Sequence, residues 1–280
     1  MRAALALSAR TRAHLTIALR QIAVPFPAGG NAERPADAES AAPAEQRFEN
    51  VRAVRLTGAF RDVQVQVAVG PVRVRVDGDK DVVEKVSCVT SGSRLTVTGR
   101  AASGHFGGNV VIVNGQVIGG AQQTALPSLT VTVPRGTALD LDGMHGSCRI
   151  GDIYGPLTVK VAGSSDVQAG LVGDLNLAVQ GSGDVDVRSA NGDAQISVQG
   201  SGDVRVRGGR LRAVNVAVQG SGDVLVDAPS DTARVTCVGS GSVALGRVAQ
   251  QPHIIRMGSG RVRVAGWSDV RAPTPTRRWR

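Results

Sequence analysis

The chain of 280 residues contains 36 glycines but only four Phe, two Trp and one Tyr, and 42% of its residues are hydrophobic. This apolar content excludes disorder of the whole chain, and the lack of glycine at every third residue excludes collagen. The formal net charge is +9, but eight arginines lie in 1–22 and 271–280, which contain no acid, so 23–270 has a net charge of only +1. A nearly neutral body with so few aromatic rings argues against nucleic-acid binding.

The N-terminal region predicts a leader and a linker rather than a folded unit. Its longest apolar stretch, Ala13–Leu19, is bounded by arginines and is shorter than the roughly 18–20 residues that a membrane span needs. A basic start and an apolar stretch resemble a secretory signal, but Arg20 interrupts the pattern, so a misassigned start is the alternative. Pro, Ala and charged residues fill 25–46. We therefore predict a leader and flexible linker over 1–46, a folded domain over 47–266 and a basic flexible tail over 267–280.

From Phe48 onward, apolar and polar residues alternate with period two, which predicts half-buried strands. A Gly-rich excursion over 104–123 interrupts this pattern, and Ser91-Gly92-Ser93 predicts a turn. The predicted strands of the first half are Val63–Val69, Val72–Val76, Val82–Thr90, Leu95–Thr98 and Ser128–Val133.

The second half contains a repeat with the motif Gly-Ser-x-x-Val. Its six copies are spaced 18, 19, 20, 19 and 19 residues apart, and the third residue is Gly in every copy except the first, which has Ser165. A fixed period near 19 is typical of a solenoid, in which one repeat buries its apolar face only by stacking on its neighbours. The copies begin at Gly163, Gly181, Gly200, Gly220, Gly239 and Gly258.

Apolar residues within each repeat fall four and two positions before the leading glycine and four and six positions after it. Each repeat therefore predicts two short strands, joined by a Gly-Ser-Gly corner where a positive φ or a close backbone approach is needed. A coil of about 19 residues has no room for an additional helix, so stacked coils should pair in parallel at roughly 4.8 Å. The fold class predicted is all-β, a parallel β-helix. Arg256 and Arg261 replace the repeat's usual residues in the last copy, as expected where stacking ends.

These features resemble the head GIN domain family, a bacterial family of unknown function described as putative auto-transporter adhesins. The resemblance covers about 48–266 and includes Phe60–Val65, Val72–Asp79, Leu95–Thr98, Leu129–Pro134 and the Gly-Ser-Gly-Asp-Val ladder. It implies a right-handed parallel β-helix that is exported to the periplasm or cell surface and has no assigned enzymatic activity.

The candidate site residues are a row of aspartates at the fourth motif position. Stacking would bring these carboxylates about 4.8 Å apart, where they repel one another. We expect each to accept hydrogen bonds from its own corner, with a calcium ladder as the alternative. The period of 19 differs from that of the nine-residue calcium repeats, so no metal or cofactor is predicted. The row comprises Asp166, Asp184, Asp203 and Asp223.

Three further groups of residues have simple structural interpretations. Gln180, Gln199 and Gln219 precede three leading glycines and predict an amide ladder hydrogen-bonded along the axis, with carbohydrate contact as the alternative. The three cysteines are expected to be buried hydrophobes; Cys237 stands where earlier repeats have Val. His145 and Cys148 supply two ligands where a closed zinc site needs four.

No catalytic arrangement stands out. Hydrolysis of a polysaccharide needs a pair of carboxylates in a cleft, whereas the acids here form a regular row. We therefore predict a non-enzymatic structural or adhesion module of the cell envelope or surface, with an envelope protein or a glycan as partner. A carbohydrate-binding or polysaccharide-acting β-helix is the alternative, and the lack of any Phe, Trp or Tyr in 163–264 argues against it.

Overall fold

The computed structural model describes residues 44–99, 112–113, 116–117, 126–144 and 146–267, and this part of the chain is almost entirely β-structure. The single short helix in it is α1 (Lys80–Val83). The strands are β1 (Ala44–Phe48), β2 (Ala53–Gly58), β3 (Asp62–Val67), β4 (Val72–Asp77), β5 (Ser87–Ser91), β6 (Arg94–Gly99), β7 (Ile112–Val113), β8 (Gln116–Val117), β9 (Ser128–Val133), β10 (Ala138–Met144), β11 (Ser147–Ile150), β12 (Leu157–Gly163), β13 (Val167–Val172), β14 (Leu175–Gly181), β15 (Val185–Gly200), β16 (Val204–Val206), β17 (Gly209–Gly220), β18 (Val224–Val226), β19 (Ser230–Gly239), β20 (Ser242–Arg247), β21 (His253–Met257) and β22 (Arg261–Ala265).

The strands stack into a parallel β-helix, as the repeat predicts. It has about seven turns with coils of about 19 residues. In each coil one strand precedes the glycine corner and one follows it. The preceding strands form the first face, where β12, β14, the end of β15, β17, β19 and β21 pair in parallel. The following strands form the second face, from β11 and β13 to β20 and β22.

The inward side chains form continuous apolar columns because the register keeps equivalent residues of successive coils in line. On the second face Val204 lies between Val185 and Val224, and all three are at most 2% exposed. Removing such a side chain from water stabilises the fold by about 1.5–3 kcal/mol. One column on the first face, no residue of which exceeds 3% exposure, comprises Val159, Leu177, Ile196, Val216 and Val235.

The N-terminal coils are not stacked in chain order. Strand β2 lies between β6 and β10, and β3 lies between β9 and β11, all in parallel. The coil of β6 and β9, which is interrupted by 100–127, therefore lies outside the earlier coil of β2 and β3. Antiparallel strands β4 and β1 then cover β9, and antiparallel β5 covers β6. These three strands close this end of the stack.

Several expectations need correction. The strand predicted over Val82–Thr90 is instead α1 followed by β5, since Asp79 begins a helical turn in which Val82 is buried. Val69 is fully exposed rather than inward, because β3 ends at Val67 and the chain turns at Gly70, where φ is +122°. The predicted strand Ser128–Val133 and the turn between β5 and β6 are confirmed.

The outer boundaries also differ in detail from the predicted domain limits. Residues Ala44–Gln46, which were assigned to the linker, belong to β1 because they pair with Val74–Val76 of β4. Trp267, which was assigned to the tail, packs against the core. The remainder of the predicted leader and tail, and all but four residues of the Gly-rich excursion, lie outside the described residues.

The inward and outward assignment predicts opposite effects of two neighbouring substitutions. Val204→Asp places an unpaired charge in the buried column and should cost several kcal/mol of unfolding free energy, or prevent folding. Arg205 is exposed on the next position, and Arg205→Ala should change stability by no more than about 0.5 kcal/mol. Urea unfolding measures both; equal losses would contradict the assignment.

Candidate functional site

The glycine corners hold successive coils together through backbone hydrogen bonds. The N–H groups of Ser182 and Gly183 both donate to the carbonyl oxygen of Gly163, at 2.9 and 3.1 Å. Equivalent pairs recur in the next three coils, where the acceptors are Gly181, Gly200 and Gly220. Two successive N–H groups make a concavity that suits an anion or a carbonyl oxygen. Here a carbonyl oxygen of the preceding coil occupies this concavity, so the corner joins the coils rather than binding a ligand.

Both glycines of the motif are required by this close approach. The leading residue has a positive φ, +129° at Gly200, and a Cβ there would lie less than 3.0 Å from the carbonyl of Gly181. At the third position a Cβ on Gly202 would meet the carbonyl of Gly183 equally closely. The first copy has Ser165 at this position, and this side chain is buried.

The aspartate row accepts hydrogen bonds from the backbone of the next coil, whereas we expected the donors to lie in each residue's own corner. The Oδ1 atom of Asp203 accepts the N–H of Asp223, one coil further on, at 2.8 Å. Asp184 accepts from Asp203 at 2.9 Å, and Asp223 accepts from Ser242 at 2.7 Å. The first link, from Asp184 to Asp166, is longer at 3.4 Å. Each N–H dipole pointing at a carboxylate offsets part of the repulsion along the row.

The described part of the chain offers no cluster of three or more His, Cys, Asp or Glu residues that could hold a metal ion. Of the His145–Cys148 pair, His145 lies outside the described residues, and Cys148 is buried with its pKa raised to about 12 by burial. Burial also raises the pKa of Cys237 and raises that of the half-buried Cys88 to about 11. All three cysteines are free thiols, and the expectation that Cys148 and Cys237 are buried hydrophobes is confirmed.

The predicted glutamine ladder is in register but is not hydrogen-bonded. Gln180, Gln199 and Gln219 align across β14, β15 and β17, and all three are exposed. Within the described residues no hydrogen bond joins their side chains. Each amide is therefore available to solvent or to a partner, which the sequence did not predict.

These glutamines border an uncharged surface that we call the amide face. Its centre is a trough of half-buried small side chains, and a second row of exposed amides lies on the other side. The amide face comprises Asn176, Ala178, Gln180, Gln195, Ser197, Gln199, Asn215, Ala217 and Gln219.

Charged pairs occupy the second face, the bends and the N-terminal coils of the first face, where Arg55 and Lys160 lie 2.7 and 3.7 Å from Asp142. Arg207 forms a bidentate pair with Asp186 on the second face, and this hydrogen bonding lowers the pKa of the Asp186 carboxyl. In a bend, Asp152 accepts the N–H of Leu171 at 2.9 Å and pairs with Arg188; the backbone bond chiefly lowers its pKa. Both carboxyls thus stay ionised to lower pH than usual, so they act as acceptors rather than as general acids.

The last coil carries features that the sequence analysis only partly anticipated. Arg256 stands in the inward column but is exposed, and its Nη1 donates to the carbonyl of Gly260 at 3.4 Å. Strands β21 and β22 each pair with one neighbour among the described residues. Trp267 was missed as a packed residue, although it lies nine positions after a leading glycine, where Val172, Ala190 and Val248 are buried in earlier coils.

Comparison with known proteins agrees with this architecture. The family model of the "putative auto-transporter adhesin, head GIN domain" matches residues 56–246, so the chain belongs to the head GIN domain family. No curated protein is detectably similar to it in sequence.

Solved structures share the fold. A protein from Parabacteroides merdae called a "putative adhesin" is 17% identical with a TM-score of 0.53, over 80% of this chain and 95% of that one. A second "putative adhesin", from Parabacteroides distasonis, is 16% identical with a TM-score of 0.51, over 80% and 96%. At these identities the likeness concerns the fold alone. The described residues include no helix long and apolar enough to cross a membrane.

The corner geometry predicts that Gly202, the third glycine of its corner, tolerates no side chain. Gly202→Ala should lower the free energy of unfolding by about 1–3 kcal/mol, because its Cβ collides with the carbonyl of Gly183 and the coils must separate. Gly208→Ala is the matched control, since its Cβ has no neighbour closer than 3.7 Å. Denaturant unfolding compares them; equal midpoints would show that coil contact does not select glycine.

The aspartate row predicts hydrogen bonding without calcium binding. Asp203→Ala removes the acceptor of the Asp223 N–H but relieves repulsion, so the net loss should be about 1 kcal/mol. Asp203→Asn, which retains a side-chain oxygen, should lose less. Thermal unfolding in EDTA and in millimolar Ca²⁺ should give the same midpoint. A calcium-dependent rise that disappears in Asp184→Asn/Asp203→Asn would establish a metal ladder instead.

Proposed function

We propose that this protein is a non-enzymatic structural or adhesion module of the cell envelope, exported to the periplasm or the cell surface. Its partner, an envelope protein or a glycan, binds along the side of the β-helix. Membership of the head GIN domain family and the adhesin-like fold neighbours support an envelope or surface role of this kind.

The observation that carries the proposal is the amide face. Its exposed amides each have donors and acceptors, yet the side chains of Gln180, Gln199 and Gln219 are not bonded to one another. Buried amides must have partners, whereas exposed ones lose little when a ligand replaces water. A neutral surface repeated over three coils therefore suits contact with an extended partner.

The chemistry of the described side chains supports a non-enzymatic role. A glycosidase needs one carboxyl with a raised pKa to protonate the leaving group. Asp152 and Asp186 instead have lowered pKa values and are held in ion pairs. In Asp184, Asp203 and Asp223 of the row, one carboxylate oxygen accepts a hydrogen bond from a backbone N–H of the next coil. Their regular spacing provides acceptors for the fold rather than an acid–base pair.

Binding of the purified full chain to intact cells of its native host tests this role. Ser197→Arg/Ala217→Arg places two cations in the trough of the amide face and should reduce cell binding at least tenfold. Leu225→Arg/Ala244→Arg makes the same change at two outward, half-buried positions of adjacent coils on the second face and should leave binding unchanged. Circular dichroism should be the same for both variants.

Location is tested separately by fractionating host cells that produce the tagged full chain. We expect the protein in the periplasmic fraction or accessible to protease added outside the cells. Retention with a cytoplasmic marker, or equal cell binding by the two double variants, would contradict the proposed function.

A further inference from the structure

A concavity of about 510 Å³ lies where the last coils bend, at the C-terminal end of the described β-helix. Its walls come from the beginnings of β17 and β19 and from the chain at and just after the ends of β20 and β22. Its size falls within the range of small-molecule sites. The side chains that decide its chemistry are Arg210, Asp231, Arg247 and Trp267.

Trp267 forms a fixed apolar wall of this concavity. Its backbone N–H donates to the carbonyl of Val264 at 3.1 Å, and its indole Nε1 donates to the carbonyl of Val248 at 3.2 Å. The polar edge of the ring is therefore satisfied by the protein. The ring is partly buried against the core and leaves the remaining indole surface to line the cavity. A rigid aromatic wall adds contact area at little cost in side-chain entropy.

The polar groups of the concavity favour an anion. Arg210 approaches Asp231 only loosely, at 3.8 Å, with side chains that are 82% and 48% exposed. Arg247 is exposed and makes no ion pair within the described part of the chain. Two guanidinium groups and one carboxylate leave an excess positive charge beside the indole. An arginine fork matches the two oxygens of a carboxylate.

We propose that this concavity binds an acidic sugar unit, a hexuronate residue of a polysaccharide. The apolar face of the sugar ring packs on Trp267, and its carboxylate accepts hydrogen bonds from Arg247, with Arg210 as the second cation. Inorganic anions have no apolar face for the indole. A nucleotide could stack on the same ring, but its base would need polar partners from a second wall, and the concavity is open. The inference rests on the proposed envelope function and adds to the amide face a second binding site, for an acidic sugar, at the end of the β-helix.

The test uses the full chain carrying Trp279→Phe, because Trp267 is then its single tryptophan and reports binding by fluorescence. The probe is tetragalacturonate, with a neutral galactose tetrasaccharide and uridine monophosphate as comparisons. We expect a saturable change with tetragalacturonate at submillimolar concentration. The neutral sugar and the nucleotide should bind at least tenfold more weakly, and affinity for the acidic sugar should fall as salt is raised.

Arg247→Ala should weaken tetragalacturonate binding at least tenfold, whereas Arg205→Ala, which removes an exposed arginine from the second face, should not. Trp267→Phe, followed by calorimetry, should retain part of the affinity because it keeps an aromatic wall. No saturation up to about 10 mM tetragalacturonate, equal effects of the two arginine substitutions, or equal binding of the neutral sugar or the nucleotide would overturn the inference.

These outcomes are distinguishable from failure of the proposed function. Normal envelope location and normal cell binding without tetragalacturonate binding would refute only the acidic-sugar site. Saccharide binding by a protein retained with the cytoplasmic marker would refute only the envelope role.

Discussion

The close approach of successive coils at the Gly-Ser-Gly corners is the constraint on which the rest of the structure depends. The carbonyls of Gly181 and Gly183 lie so close to the next corner that Gly200 and Gly202, respectively, cannot carry a Cβ. The carbonyl of Gly181 also accepts two N–H groups, those of Ser201 and Gly202. This contact fixes the register between coils, and the register in turn aligns the buried valines and makes each Asp an acceptor for the coil that follows.

Once the corner has fixed the register, the outward side chains are not constrained by core packing. The outward surfaces of the β-helix therefore differ in chemistry. The second face, the bends and the N-terminal coils of the first face carry charges that neutralise one another locally, as in the Asp186–Arg207 and Asp142–Arg55 pairs. The amide face carries none. Exposed ion pairs contribute little stability. Because these ion pairs lie away from the amide face, they influence which partners can approach each surface rather than the stability of the fold.

Features repeated along the chain could be predicted, whereas features that occur once could not. The repeat correctly predicted that Val204 points inward and Arg205 outward. Trp267 lies nine residues after the last leading glycine, a position that is buried in several earlier coils, so the same repeat could have predicted its packing in the last bend. The order β6, β2, β10 could not be predicted, because the alternation that predicts a strand is the same whichever strand lies beside it. Helix α1 replaced part of a predicted β-segment for a local reason, since a helical turn begins at Asp79 and buries Val82.

The sequence by itself determined the coil: its length, its corners and the side chains that point inward, because each depends on spacing along a single chain. Tertiary structure alone decided which atoms meet across coils. The carboxylate of Asp203 bonds to Asp223 rather than to its own corner, and the amides of Gln180 and Gln199 align without bonding. It also decided that Arg247 and Trp267 share a concavity. Such contacts depend on the rise and twist between coils, and a period of 19 residues does not specify either.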